Sequence, residues 1–213
     1  GMPEVVANFV NNKDFAEVRY LQNRIIEMYE SDFSKHTPEN DLPRIRMVWN
    51  SIPMQLAKEN KKFFFGQIKE GARAKDFEVA IEWLQDCGLI KKVYKVTKPH
   101  MPLKAYIDFS AFKLFLLDVG LLGALSELDA KSILDGNAVF TEFKGALTEQ
   151  YVLQQLVADT EYTPYYFSET KSEGKIDFLV QKGQNILPIE VKAEENLRAK
   201  SLKVYCDKYA PEI

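Results

Sequence analysis

The chain has 213 residues, 46% of them hydrophobic, enough for one large or two small domains around a packed core. Its formal net charge of −3 gives no support by itself to a nucleic-acid partner. No run approaches the roughly 18–20 apolar residues of a membrane span. Cys87 and Cys206 have no CxxC-type spacing, and His36 and His100 are isolated, so a zinc site has little to be made from. Two thiols in a reducing cytosol are expected, and Gly1-Met2-Pro3-Glu4 shows no secretory leader, so a cytoplasmic location is expected.

The first forty residues read as helical. Asp14 and Glu17 have the spacing of a capping box. Phe15, Val18, Leu21 with Ile25, Tyr29 and Phe33 then recur at helical intervals. Thr37-Pro38-Glu39-Asn40-Asp41 is a polar break suited to a linker.

Residues 42–107 predict helix, short helix, helix and then two strands. Pro43 suits a first helical turn, with the helix running to about Asn50, a break at Ile52-Pro53, and a second segment from Met54 to Asn60. Arg73 to Gly88 is a strong helix, with Phe77, Ala80 or Ile81, Leu84 and Cys87 on one side and Gly88 placed to close it. Leu89 to Val96 and Leu103 to Ile107 are strand-like. This is the order of a winged helix-turn-helix.

Residues 54–104 carry 11 Lys and Arg against 6 Asp and Glu, a net of +5 that leaves −8 for the remainder. That distribution fits polyanion contact, and equally an ordinary solvated face. The helix that would enter a major groove is acidic, with Lys75 against Asp76, Glu78, Glu82 and Asp86. The basic residues lie instead at Lys58, Lys61, Lys62, Lys69 and Arg73, and on the wing at Lys91, Lys92, Lys95, Lys98 and Lys104. A structural or protein-contacting winged helix is preferred over a sequence reader.

Phe112 to Leu125 predicts a buried strand turning into a helix near Gly120, followed by a polar stretch from Asp129 to Asn137. Phe143 to Leu156 predicts a helix with Leu147, Tyr151 or Val152, and Leu156 on its apolar stripe. Glu149 falls off that stripe, where it could reach a neighbouring site. Tyr165-Tyr166-Phe167 is a strand, and a last helix runs from about Leu197 to Tyr209. Strands meeting helices in mixed order imply an α/β domain.

Between those elements lies a predicted hairpin, Lys175 to Val180 and Ile186 to Lys192, with Gln181 to Asn185 as its loop. Alternation puts Glu190 and Lys192 on one face and Ile189 and Val191 on the other. The hairpin can bring Asp177 beside Glu190. Two carboxylates and an ammonium suit a phosphodiester-cleaving Mg²⁺ site, with the lysine steadying or deprotonating water. Acid–lysine alternation for the solubility of an edge strand is the competing reading.

Several stretches together resemble the C-terminal half of a prokaryotic AAA-type P-loop ATPase family. They are Val48 to Ala57, Ala80 to Leu84, Pro102 to Tyr106, Leu117 to Leu122, Gly145 to Glu149, the Asp177/Glu190/Lys192 hairpin, and Lys200 to Leu202. The resemblance implies an upstream ATPase domain, a winged helix, and a domain like the restriction-endonuclease, PD-(D/E)XK, fold. It matches Glu149 to the helix carboxylate, Asp177 to the first strand acid, and Glu190 and Lys192 to the E-x-K pair. It implies Asp177 and Glu190 as Mg²⁺ ligands, with Lys192 and Glu149 as catalytic groups. No G-x-x-x-x-G-K-[ST] is present, so ATP is expected only in a domain outside this sequence.

The expected organisation is a helical segment at 1–40 belonging to an ATPase lid, a winged helix-turn-helix at 41–107, and a nuclease-like α/β domain at 108–213. That last domain is expected to hold a mixed sheet flanked by helices and to continue past the end of the sequence. The expected partners are DNA through Lys58, Lys61, Lys62, Lys91, Lys92 and Lys95, a protein partner, and the chain's own ATPase domain, with no membrane. A non-catalytic module that couples the ATPase to DNA or a protein is the alternative function. The acids Glu169, Glu173, Glu194 and Glu195 near the hairpin favour it.

Overall fold

The computed structural model describes residues 2–58, 61–129, 141–169, 174–193 and 199–211. The architecture is α/β, with a mixed five-stranded sheet, as the order of elements predicts. The chain divides into two units, Gly1–Lys91 with Leu114–Leu147, and Lys92–Lys113 with Thr148–Ile213.

The first unit is helical. Helices α1 (Pro3–Asn12) and α2 (Phe15–His36) are separated by Asp14, whose carboxylate accepts from the N–H groups of Ala16 and Glu17 and caps α2. The reciprocal half of the expected capping box is missing. Glu17 accepts from the Asn12 amide instead, at 2.9 Å. Val5, Ile25 and Ile26 pack with Leu121 and Ala124 of α6 (Val119–Leu125). Asp118 caps α6 through the Leu121 N–H. Gly120 lets the Gln22 side chain approach closely, since a Cβ there would lie 2.4 Å from its amide nitrogen and would have to displace it.

Helix α3 (Leu42–Leu56) runs without a break through Pro53, against the predicted interruption at Ile52-Pro53. A helix-interior proline removes one hydrogen bond. Here Val48, Trp49, Ile52 and Leu56 are all buried, and that packing outweighs the lost bond. Trp49 and Trp83 both meet Phe33 edge-on, at 5.6 and 5.5 Å between ring centroids. After the short α4 (Phe65–Ile68) comes α5 (Ala74–Asp86), where the Asp76 carboxylate accepts from the Arg73 N–H and Gly88 closes the end at φ +72°.

The second unit is built on the sheet, ordered β2-β1-β3-β4-β5. Its strands are β1 (Ile90–Val96), β2 (Ile107–Leu116), β3 (Tyr165–Ser168), β4 (Lys175–Lys182) and β5 (Asn185–Ile189). The two strands expected as a wing thus stand in the same sheet as the hairpin. Leu103–Tyr106, expected within the second of them, is a 3₁₀ turn that precedes β2. Strands β1 and β3 are parallel, while β3–β4 and β4–β5 are antiparallel. Helix α7 (Thr141–Asp159) precedes β3, and α8 (Lys200–Tyr209) ends the described chain. Val96, Tyr165, Phe167, Ile176, Leu179 and Tyr205 form the core between the sheet and α8.

Candidate functional site

The hairpin turn is tighter than expected. Strand pairing continues to Lys182↔Asn185, leaving Gly183 and Gln184 as the turn, with Gly183 at φ +60°. Ladder pairs run from Lys182↔Asn185 to Phe178↔Ile189, so Asp177 and Glu190 are the next residues along each strand past the last pair.

Where β4 meets β3, Tyr165 pairs with Leu179 but Phe167 pairs with Ile176. Two steps on β3 are matched by three on β4, so Asp177 and Phe178 together oppose Tyr166. Ile176 and Leu179, three residues apart, both enter the core under α8, which strict alternation would forbid. The extra residue is a β-bulge, a device that re-aims a side chain next to a site. It turns Asp177 toward the side of the sheet that carries Phe178 and Tyr166.

Strand β5 ends at Ile189, so Glu190 and Lys192 lie just beyond it rather than within the predicted strand to Lys192. The reason is local: the Val191 N–H donates to Asp177 Oδ2 at 2.9 Å. Glu190 is held from two sides. Its Oε2 accepts from the Leu202 N–H at 2.9 Å, in the first turn of α8, and its Oε1 lies 2.5 Å from Lys192 Nζ. The carboxylate therefore caps α8, whose own N-cap residue Ala199 supplies no side-chain bond. The Glu190 side chain is 4% exposed and that of Lys192 is 37% exposed. The ammonium thus reaches solvent from an anchored acid.

Glu149 is buried. The buried residues of α7 are Ala146, Leu147, Glu149, Gln150 and Leu153; Leu147 is buried as expected, while Tyr151, expected on the stripe, is exposed. The inward face has helical spacing but two polar members, Glu149 and Gln150, so hydropathy alone marked only part of it. What makes burial of Glu149 tolerable is an ion pair with Lys113 of β2, itself without exposed surface. Lys113 Nζ also sits 4.9 Å from the Tyr166 ring centroid and 5.8 Å from that of Phe178. Lys113 was not anticipated as part of the site. Its signal in the sequence is a lone lysine within the apolar run Ala111-Phe112-Lys113-Leu114-Phe115-Leu116.

One side of the sheet thus carries the Lys113–Glu149 pair, Tyr166, Phe178 and the re-aimed Asp177. Lys95, the Cα partner of Tyr166 in the parallel β1–β3 pair, stands on that side too. Asp177 and Glu190 supply hard oxygen donors of the kind Mg²⁺ accepts, with its other positions left to water and phosphate. Glu149 is committed to Lys113. Among the described residues no three His, Cys, Asp or Glu side chains converge on one metal position.

The expected nucleic-acid residues differ in their surroundings. Lys58 and Lys91 are exposed. Lys61 Nζ donates to the Gly145 carbonyl at 3.2 Å, and Lys62 Nζ lies 5.9 Å from the Phe64 ring centroid. Lys92 sits over Tyr94 and Phe112, at 5.3 and 4.9 Å. Glu169 accepts from Lys208 at 2.5 Å and from the Tyr209 hydroxyl at 2.9 Å, bonds that hold its carboxyl below the usual range. Glu173, Glu194, Glu195 and most of the Asp129 to Asn137 stretch lie outside the described residues. A cavity of about 610 Å³ in the first unit, lined by Arg19, Asn23, Glu27, Glu30 and Asp129 among others, contains none of the expected site residues.

The class defined by fold and site is an α/β protein with a mixed sheet, a buried Lys113–Glu149 ion pair, and the acids Asp177 and Glu190 at the end of its hairpin. By sequence, residues 1–132 match the family profile described as "Domain of unknown function (DUF8612)", and the chain belongs to that family. Residues 144–212 match a second profile, "Domain of unknown function (DUF4143)". Lys113 falls in the first match, while Glu149, Asp177, Glu190 and Lys192 all fall in the second. No curated protein and no solved structure matches the chain. No described helix is long and apolar enough to cross a membrane.

Proposed function

We propose that the second unit is a PD-(D/E)XK nuclease-like domain that hydrolyses phosphodiesters, joined in its full-length protein to an AAA-type ATPase. The observation that carries this reading is the β-bulge. It turns Asp177 toward the side of the sheet that bears the Lys113–Glu149 pair, while Asp177 and Glu190 each directly adjoin the last pair of the β4–β5 ladder, Phe178↔Ile189. The DUF4143 match supports the ATPase association, which the sequence resemblance also implies.

Asp177 and Glu190 would hold Mg²⁺, which when bound polarises a phosphate and acidifies a bound water. The chain's own residues do the rest. Glu190 fixes Lys192, whose ammonium is placed to hold a water or to offset the charge that grows on the phosphate as the P–O bond breaks. Lys113 fixes Glu149 through their buried ion pair. Lys58, Lys61, Lys62, Lys91, Lys92 and Lys95 serve phosphate contact, and α3 to α5 of the first unit serve as the helical part of a winged helix.

A second reading keeps the fold without turnover, as a DNA- or protein-binding module. One observation favours it: each acid already has a structural duty, Asp177 to Val191, Glu190 to α8 and Glu149 to Lys113.

The test uses Asp177→Asn, which removes the charge but keeps an acceptor for Val191, and Lys192→Ala. Calorimetry with Mn²⁺ should show weak binding to wild type, retained in Lys192→Ala and lost in Asp177→Asn. Linear, single-stranded and supercoiled DNA should be cut by the wild-type full-length protein with Mg²⁺ or Mn²⁺, and by neither variant. If wild type cuts none of them, the binding-module reading replaces the enzyme.

A further inference from the structure

On the opposite side of β1 from Lys95, alternation places Lys92 and Tyr94. Tyr94 meets two aromatic side chains of β2, Phe109 at 5.5 Å and Phe112 at 6.1 Å between ring centroids. Lys92 Nζ stands over both Tyr94 and Phe112. Phe112 is buried and Tyr94 half-buried, but Phe109 is 74% exposed. Strand β2 is the edge of the sheet, and Phe109 and Ser110 in its first half are exposed.

An exposed phenyl ring braced by a tyrosine, with an ammonium fixed over that same tyrosine, sets a π-face and a positive charge in one aromatic cluster. Protein-binding surfaces are depleted in lysine relative to the rest of the surface. Single-stranded nucleic acid needs this pair of features: its unpaired bases stack on aromatic faces, and its phosphates seek lysine. A duplex hides its base faces and gains nothing from Phe109. We infer that the Lys92/Tyr94/Phe109/Phe112 face is a docking platform for single-stranded nucleic acid, with Phe109 as the stacking ring and Lys92 as the phosphate contact. The inference rests on the nucleic-acid part of the reading above but not on cleavage, since the platform lies on the other side of the sheet from Asp177.

The experiment is fluorescence anisotropy in EDTA, where no metal-dependent cleavage occurs. The intact chain is titrated against labelled oligothymidylate and oligouridylate of about 30 nucleotides and against a duplex of equal length. Single strands should bind tighter than the duplex, and the two homopolymers show whether DNA or RNA is preferred. Phe109→Ala should weaken single-strand binding at least about fivefold, the lower end of a base-stacking contact, while Phe109→Tyr restores it. Phe109 is exposed, so folding should survive each change, which circular dichroism verifies. Phe109→Trp should be quenched as the strand stacks. Absence of single-strand binding, equal affinity for duplex, an unaffected Phe109→Ala, or full displacement by polyglutamate would each overturn the platform. Because EDTA excludes cleavage and Asp177 and Glu190 are untouched, failure here leaves the nuclease reading standing, and an inactive nuclease leaves this one.

Discussion

Lys113 and Glu149 are buried charges that tolerate each other only as a pair. Removing either leaves its partner uncompensated in a low-dielectric setting, at a cost of about 3–5 kcal/mol, whereas replacing both with apolar groups of like volume is often near neutral. In urea unfolding, Lys113→Met and Glu149→Leu should each be strongly destabilising, and the double variant less so than either single. Independent, additive losses would mean that the pair does not hold this side of the sheet together. Of the four candidate residues, Asp177 and Glu190 have a neighbourhood that was legible, because a short hairpin fixes it, although Glu190 and Lys192 fall just past the end of β5. The environment of Glu149 was not legible. Its partner lies 36 positions away on a strand that precedes α7, and long-range ion pairing leaves no local periodicity.

At the scale of the element, α8 is the part whose docking can be followed by pH. Tyr205 packs 6.1 Å from Phe167 and 5.0 Å from Tyr209, and burial, reinforced by Tyr209 and Cys206, pushes its phenol up to about 12. The nearby ionisable partners are Tyr209, whose own phenol is raised, and the Glu169–Lys208 pair. A folded-state value above the unfolded one means that stability is full below about pH 10 and is lost as pH rises toward about 12, amounting to about 2–3 kcal/mol. Far-ultraviolet dichroism with phenolate absorbance should show α8 loosening across that window, and Tyr205→Phe should remove most of the loss. A variant that loosens like wild type would assign the transition elsewhere. Helix α8 and strand β3 were read from their apolar patterns. The end of β5 was not, because the ladder stops where the Asp177 side chain, rather than a strand carbonyl, takes the Val191 N–H. The β-bulge was hidden for a related reason, since one added residue in β4 changes register without changing composition.

For the whole molecule, the net charge of −3 hides a basic segment at 54–104 set against an acidic remainder, so any nucleic-acid binding is local and salt-sensitive. The fold divides that basic segment further. Along β1, alternation puts Lys91 and Lys95 on the side shared with Tyr166, and Lys92 on the side shared with Tyr94 and Phe109. Each phosphate contact to a single strand contributes about 0.7 to the slope of log affinity against log salt. Neutralising Lys92 as Lys92→Gln should therefore flatten the slope for a single strand by about that amount. Lys91→Gln with Lys95→Gln should leave it unchanged if the strand stays on the aromatic side. If the double change flattens the slope and Lys92→Gln does not, the strand runs on the Asp177 side instead, past Lys95 and toward the candidate nuclease residues. The two slopes together thus report which side of one strand the polyanion follows, a distinction that the charge count of the segment cannot make because its lysines alternate.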